Sequence, residues 1–252
     1  MNDREILALF DREMREHPPP PPGSRIERAG PVVRLLGPYC SLLYSQLNEE
    51  NARTVIAQES EFFRSLGKEV EWKVYDHDLP PNLGALLREA GYVADPPETL
   101  LVFDLVQPLP PGARPGPVEV RRVTDERTFR DAVRASQDAF GRGKGWHEEE
   151  YRKRLDDPTL ALFVAYQGGE PIASARLELP PGGSFAGLWG GGTSPRFRGR
   201  GVYRLLVETR AELARRRGYR FLTVEALETS RPILARWGFR RLDTVTGWVR
   251  SP

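Results

Sequence analysis

In the second half of the chain the hydrophobic positions change period several times, and each change predicts an element. VEVRRV (118–123) alternates as a strand, and a helix begins at Thr124 and runs to about Phe140. Residues 147–157 form a short charged helix. LALFVAYQ (160–167), a GGE turn and PIASARLEL (171–179) have the pattern of a hairpin, and FAGLWGG (185–191) is a further strand. From 202 to 217 the apolar positions Val202, Leu205, Leu206, Ala211 and Ala214 fall at helical spacing, and Gly218 ends the run. YRFLTVEAL (219–227) is a buried-type strand, PILARW (232–237) a short helix closed by Gly238, and the tail through Val249 is strand-like. Ser230, just ahead of Arg231-Pro232, is the expected N-cap of that short helix.

The first half is punctuated by proline. An amphipathic helix over roughly 3–16 leads into Pro18–Pro22, a stiff polyproline spacer, and QPLPPGARPGP (107–117) is a second breaker cluster. These divide the chain into an N-terminal helix and spacer (1–22), a first domain (23–106), a linker (107–117) and a second domain (118–252). An internal repeat joins the halves. Residues 63–93 parallel 214–240, each with a helix ending in glycine, an apolar strand, a short helix and then glycine with an aromatic.

Composition narrows the class. With 252 residues, 39% hydrophobic and 29% charged, the chain has material for real cores, and no run approaches the length of a membrane span. A single cysteine, Cys40, and three scattered histidines exclude a disulfide framework and give no metal-ligand spacing, so a reducing cytoplasm is the expected compartment. The net charge of +2 conceals an asymmetry. Before residue 116 there are 12 Lys/Arg against 18 Asp/Glu (net −6), and from there on 25 against 17 (net +8). A basic half attracts nucleic acid, acidic substrates or a phosphorylated cofactor. The basic residues concentrate on one loop and lack interleaved aromatics, which argues against nucleic acid.

That loop is SPRFRGRGVY (194–203), between an apolar strand and an amphipathic helix. The first amides of a helix have no internal partners and carry the positive end of its dipole, and glycines let the backbone approach a phosphate closely. Strand, basic glycine loop and helix together make a candidate diphosphate site. At the matching place in the first half, Asn48-Glu49-Glu50-Asn51 has no glycine and two acids, so the first copy is expected to hold no phosphate.

Segment 185–240 resembles the GCN5-related N-acetyltransferase (GNAT) superfamily, whose Arg/Gln-x-x-Gly-x-Gly/Ala signature falls on Arg198, Gly201 and Tyr203. The resemblance extends over 118–250, and 32–106 is similar to a degenerate copy of the family's C-terminal part. It implies an α/β chain with a mixed, mostly antiparallel GNAT-type sheet flanked by helices, in two tandem GNAT-like domains. It implies acetyl-CoA as co-substrate, no metal, and an amine of a small molecule or peptide as acceptor, with neither nucleic acid nor membrane as partner and a homodimer left open.

Carried over by position, the resemblance puts the CoA diphosphate on the backbone of Arg198, Gly199, Arg200, Gly201, Val202 and Tyr203, and the pantetheine arm along the strand edge Gly191, Gly192 and Thr193. Two departures stand out. Tyr203 replaces a small residue, so either its ring turns from the phosphates or the site is altered. Leu234 stands where many members keep a tyrosine that protonates the departing thiolate, and no carboxylate opens strand 185–191. Glu225, Glu228 and Tyr203 are therefore the catalytic candidates. His147, beside Trp146, is a candidate wall of the acceptor pocket. A non-catalytic acyl-CoA-binding or sensing module is the alternative these departures favour.

Overall fold

The computed structural model describes residues 1–112, 115–141 and 148–252, so His147, Trp146 and the middle of the expected linker lie outside the described residues. The chain packs as two compact units, Met1–Val102 together with Glu225–Pro252, and Phe103–Val224. Each has mixed, mostly antiparallel strand pairing flanked by helices, the architecture that the resemblance implies.

In the first unit, α1 (Asp3–Phe10) starts at an Asn2–Glu5 capping box and buries Ile6 and Phe10. The expected single helix 3–16 widens in its second half into a π-helical stretch, Asp11–Glu16. Strands β1 (Arg25–Ala29), β2 (Val32–Leu36), β3 (Ser41–Ser45) and β4 (Val70–Tyr75) follow, with α2 (Ala52–Ser65) crossing between β3 and β4, which pair in parallel. Then come α3 (Leu83–Glu89), β5 (Val93–Ala94) and β6 (Glu98–Asp104). Gly67 (φ 61) ends α2, and Gly91 (φ 88) after α3 leads to buried Tyr92. The same grammar recurs where Gly218 (φ 85) and Gly238 (φ 89) serve the second copy. Val55, Ile56 and Phe63 of α2 pack with Leu83, Leu86 and Leu87 of α3 on Val32, Leu42 and Trp72.

The end of the chain belongs to this unit. Strand β12 (Arg240–Arg250) pairs antiparallel with β4 through Val245–Arg250 and with β6 through Arg240–Val245, and Trp248 enters the core beside Trp72. The compact units thus divide at Val102/Phe103 and Val224/Glu225, whereas the proline cluster at 107–117 marks the break in sequence. The reason is backbone satisfaction. β12 finds partners here, β4 along Val245–Arg250 and β6 along Arg240–Val245, which satisfies much of its backbone.

Arg15 anchors the N-terminal segment from a nearly fully buried position. It donates to both oxygens of Asp78 (2.8 and 2.6 Å) and to Asp11 (2.7 Å), and lies 4.0 Å from the Tyr75 ring centroid. His77 bonds Asp11 through Nε2 (2.9 Å) and Asp243 through Nδ1. The bonds from Asp11 and then Asp243 push its pKa up to about 10. A histidine raised in the folded state stabilises fully below its unfolded pKa of about 6.5, and that stabilisation fades as pH rises through about 10. His77 is partly exposed, so His77→Gln should cost about 1 kcal/mol at pH 6. Urea midpoints of wild type and variant should converge above pH 10, and a pH-independent gap would contradict this reading.

In the second unit β7 (Val118–Arg122), β8 (Leu160–Gln167), β9 (Glu170–Glu178) and β10 (Phe185–Thr193) pair antiparallel in that order, and β10 pairs in parallel with β11 (Phe221–Ala226). Helix α4 (Glu126–Phe140) opens on an Asp125–Thr128 capping box, one residue beyond the expected Thr124 start, and buries Phe129, Ala132 and Val133 against β8. α5 (Glu148–Arg152) is shorter than the expected 147–157. α6 (Val202–Arg216) matches its sequence period and packs on β9 and β10.

Candidate functional site

The strand that leads into the basic loop is irregular. Between Trp189 and Gly192 β10 carries one extra residue relative to β9, a bulge, and its parallel pairing with β11 covers only Phe185–Gly187 opposite Phe221–Thr223. The ladder with β11 ends at Gly187. Gly191 and Gly192 face opposite sides. A Cβ at Gly191 would stand 3.0 Å from Tyr203 Cε2 and 3.1 Å from Arg210 Nη2, and one at Gly192 would stand 2.6 Å from the Phe140 ring. The glycines therefore let α6 and α4 close on the two faces of β10, and only the in-plane edge of the strand is left for a ligand.

After β10 the chain makes a 3₁₀ turn, Pro195–Phe197, and enters α6 through Gly199 (φ 74) and Gly201 (φ 82), the left-handed N-cap. No side chain caps this helix. The amide of Leu205 bonds to Gly201 O, which opens the helical ladder at the N-cap. A Cβ at Gly199 would meet nothing within 4 Å, so the approach to the loop is open. Arg198 turns inward. Its Nε donates to Thr193 O and its Nη2 to Ala139 O, both at 3.0 Å, tying the loop to the ends of β10 and α4. Arg196 pairs with Glu170 at 2.6 Å, and exposed Arg200 lies over the Phe197 ring. Val202 is buried.

Tyr203 departs from the family signature, and its ring lies on β10 at Gly191. Burial raises its pKa, with Arg210 opposing. The hydroxyls of Thr193 and Ser194, both more than nine-tenths buried, have no hydrogen-bond partner.

The other catalytic candidates lie in the first unit. Glu225, on β11, accepts a hydrogen bond from Tyr75 Oη (2.8 Å) and is ion-paired with Lys73. Burial would lower Lys73, but the carboxylates of Glu225 and Glu71 outweigh it and raise its pKa. Burial, and then Glu225, push Glu98 up to about 7, with Lys73 opposing. Sequence reasoning passed over Lys73, Tyr75 and Glu98. The available signal was the polar side chain at every second position of VEWKVY, which predicts one wet or paired face of a strand. Gly247, paired with Lys73, leaves room for this cluster, since a Cβ there would stand 2.5 Å from Glu71 Oε1.

Glu228 is an exposed partner of Arg231, donated to by its Nε at 2.8 Å. Leu234 is fully buried in α7 (Arg231–Arg236). Ser230 occupies the N-cap position expected of it, but its hydroxyl donates back to Leu227 O (3.2 Å) and caps nothing. Cys40 is a buried free thiol in the first unit. Among the described residues no His/Cys/Asp/Glu group could hold a metal ion, and no helix is long and apolar enough to cross a membrane.

Residues 128–239 match the family model described as Acetyltransferase (GNAT) family. No curated protein sequence matches the chain. Its fold is similar to that of a GCN5-related N-acetyltransferase from Kribbella flavida (TM-score 0.71, 16% identity, covering 99% of this chain and 94% of that one). It is also similar to a GCN5-related N-acetyltransferase from Sphaerobacter thermophilus (TM-score 0.63, 16% identity, 98% and 85% covered). A third similar structure is a tandem GNAT protein from the clavulanic acid biosynthesis pathway (TM-score 0.63, 16% identity, 92% and 84% covered). At these identities the likeness is one of fold.

Proposed function

We propose, from the premise that residues 128–239 are a GNAT-family domain, that the chain transfers an acyl group, acetyl in the simplest case, from acyl-CoA to a primary amine. The observation that carries the reading is the start of α6, where no side chain caps the helix, reached through two left-handed glycines from a strand whose pairing with β11 ends at Gly187. Amides at a helix start suit a diphosphate, and an open strand edge suits the amide-bearing pantetheine arm. The inward bonds of Arg198 hold the loop so that its backbone, rather than that side chain, is offered to the ligand.

The first copy lacks these features. Asn48 Oδ1 accepts from the amides of Glu50 and Asn51, and Asn51 Oδ1 from that of Asn48, so those donors are already used. This supports a cofactor-free first copy.

The reaction is direct attack. The amine nitrogen bonds to the thioester carbon, the C–S bond breaks with its electron pair on sulfur, and the ammonium proton leaves to a base. Positioning supplies much of the rate, because an amine with a pKa near 8 is already partly neutral at pH 7. Both carboxylate candidates are engaged, Glu225 by Tyr75 and Lys73 and Glu228 by Arg231, and Glu225 is the one tested below.

An acetyl-CoA consumption screen over mixed amine pools tests the reading. Turnover is expected with at least one pool, and CoA binding without turnover on any amine would leave the acyl-CoA-sensing alternative. With an acceptor in hand, Glu225→Gln should cost on the order of 100-fold in rate with CoA affinity little changed. Tyr203→Phe should stay within a few-fold, and loss of an alkaline limb in that variant would make Tyr203 the acid instead.

A further inference from the structure

The third turn of α6 holds a cation that no carboxylate among the described residues neutralises. Arg210 is 1% exposed. Its Nε donates to Leu206 O and its Nη1 to Arg176 O, both at 3.0 Å, and Nη2 has no hydrogen-bond partner. Among the described residues the titratable groups that bear on it are Tyr203 on its own helix and Arg176 on β9, none comes from β7, β8 or β10, and on β10 it lies against Gly191. Burial, relieved in part by Tyr203 and worsened by Arg176, pulls its pKa down to about 10, so it is still charged near neutral pH.

A buried guanidinium without a carboxylate is strongly unfavourable, and an apolar chain of the same size is commonly better tolerated. The charge is therefore kept for something that joins it. Nη2 stands 3.1 Å from where a side chain at Gly191 would begin, on the α6-covered face of the strand whose edge is assigned above to the pantetheine arm. Leu234, where the resemblance looks for a proton donor, is a fully buried apolar side chain.

We propose that Arg210 stabilises the CoA thiolate as the thioester breaks. The inference rests on the acyl-CoA reading above. When the amine bonds to the carbonyl carbon, the C–S electron pair stays on sulfur, the anion sits in the field of Arg210, and the amine's proton goes to the base. Sulfur then leaves as a thiolate that needs no acid in the site.

Product CoA tests this without knowledge of the acceptor. In a Cys40→Ser background, which removes the protein's single thiol, CoA and acetyl-CoA affinities are measured by calorimetry from pH 6.5 to 9.5, with thiolate absorbance followed in parallel. An ordinary thiol has a pKa near 8.5, and lowering it by one unit on binding makes CoA bind about tenfold tighter at the alkaline end. Acetyl-CoA shares every other titrating group and should show no such rise.

Arg210→Met should abolish the rise while keeping the affinity at pH 6.5 and an unchanged or higher melting temperature. Arg210→Lys, which keeps the charge, should retain part of the rise and serves if the methionine variant misfolds. A flat wild-type profile, or the same rise in Arg210→Met, overturns the inference and leaves the CoA site standing. No CoA binding at any pH defeats the acyl-CoA reading and the inference with it.

Discussion

Gly201→Val should weaken CoA binding by on the order of 100-fold or more while the second unit stays folded. Gly201 is the N-cap of α6 at φ 82, a conformation that a branched L-residue adopts only under strain. Relaxing that strain swings the amides of Val202 and Tyr203 away from the direction in which they now point. The added side chain also stands where a phosphate would approach the backbone. Hydrogen bonds to a charged group contribute about 1.5–3 kcal/mol each, so losing one or two reaches the stated factor.

The control sits at the other end of the same helix. Gly218 has φ 85 and open space around its Cβ position, so Gly218→Val carries a similar backbone cost without touching the loop. Calorimetry should find CoA affinity lost in the first variant and kept in the second. Equal affinities in both would remove the loop as the cofactor site.

Lys73→Met should destabilise the first unit by about 2–4 kcal/mol at pH 8 and by much less at pH 5, a buried pair discounted for the partial exposure of Lys73. The ammonium holds together Glu225, Glu71 and Glu98, and without it these carboxylates face one another. The sign follows from Glu98. Its folded pKa of about 7 lies above the usual carboxylate value, so its ionisation costs stability above pH 7 and that cost is relieved as pH falls toward about 4.5. Burial likewise raises Glu71. Denaturant unfolding at the two pH values checks the prediction, and Lys73→Met with Glu98→Gln should recover part of the loss at pH 8. An equal loss at pH 5 and pH 8 would show that Lys73 acts through its packing and not its charge.

Much of the second unit was legible along the chain. Strand 160–167 and the helix from Val202 to Arg216 follow from period alone, whereas the left-handed backbone of Gly199 and Gly201, read only as room for a phosphate, comes from the structure. The repeat of helix, glycine, strand, short helix and glycine-aromatic is present in both copies. The role given to Gly191 and Gly192 was only half visible. They were read as room for the pantetheine arm along the strand, and the structure adds that Tyr203, Arg210 and Phe140 close on β10 at these positions.

These successes have one cause. A helical period, a capping residue and a left-handed glycine act within a few positions of one another, so the residues that decide them are adjacent in the sequence. The placement of β12 between β4 and β6, the joining of Lys73 to Glu225 across 152 positions, and the absence of a partner for Arg210 Nη2 have no local signature. Each depends on which distant strand edge satisfies a backbone ladder and which charges are buried together. A charge pattern along one strand shows that its side chains need partners, and only the folded chain, by excluding water from that face, decides which residues supply them and which cation is left with none.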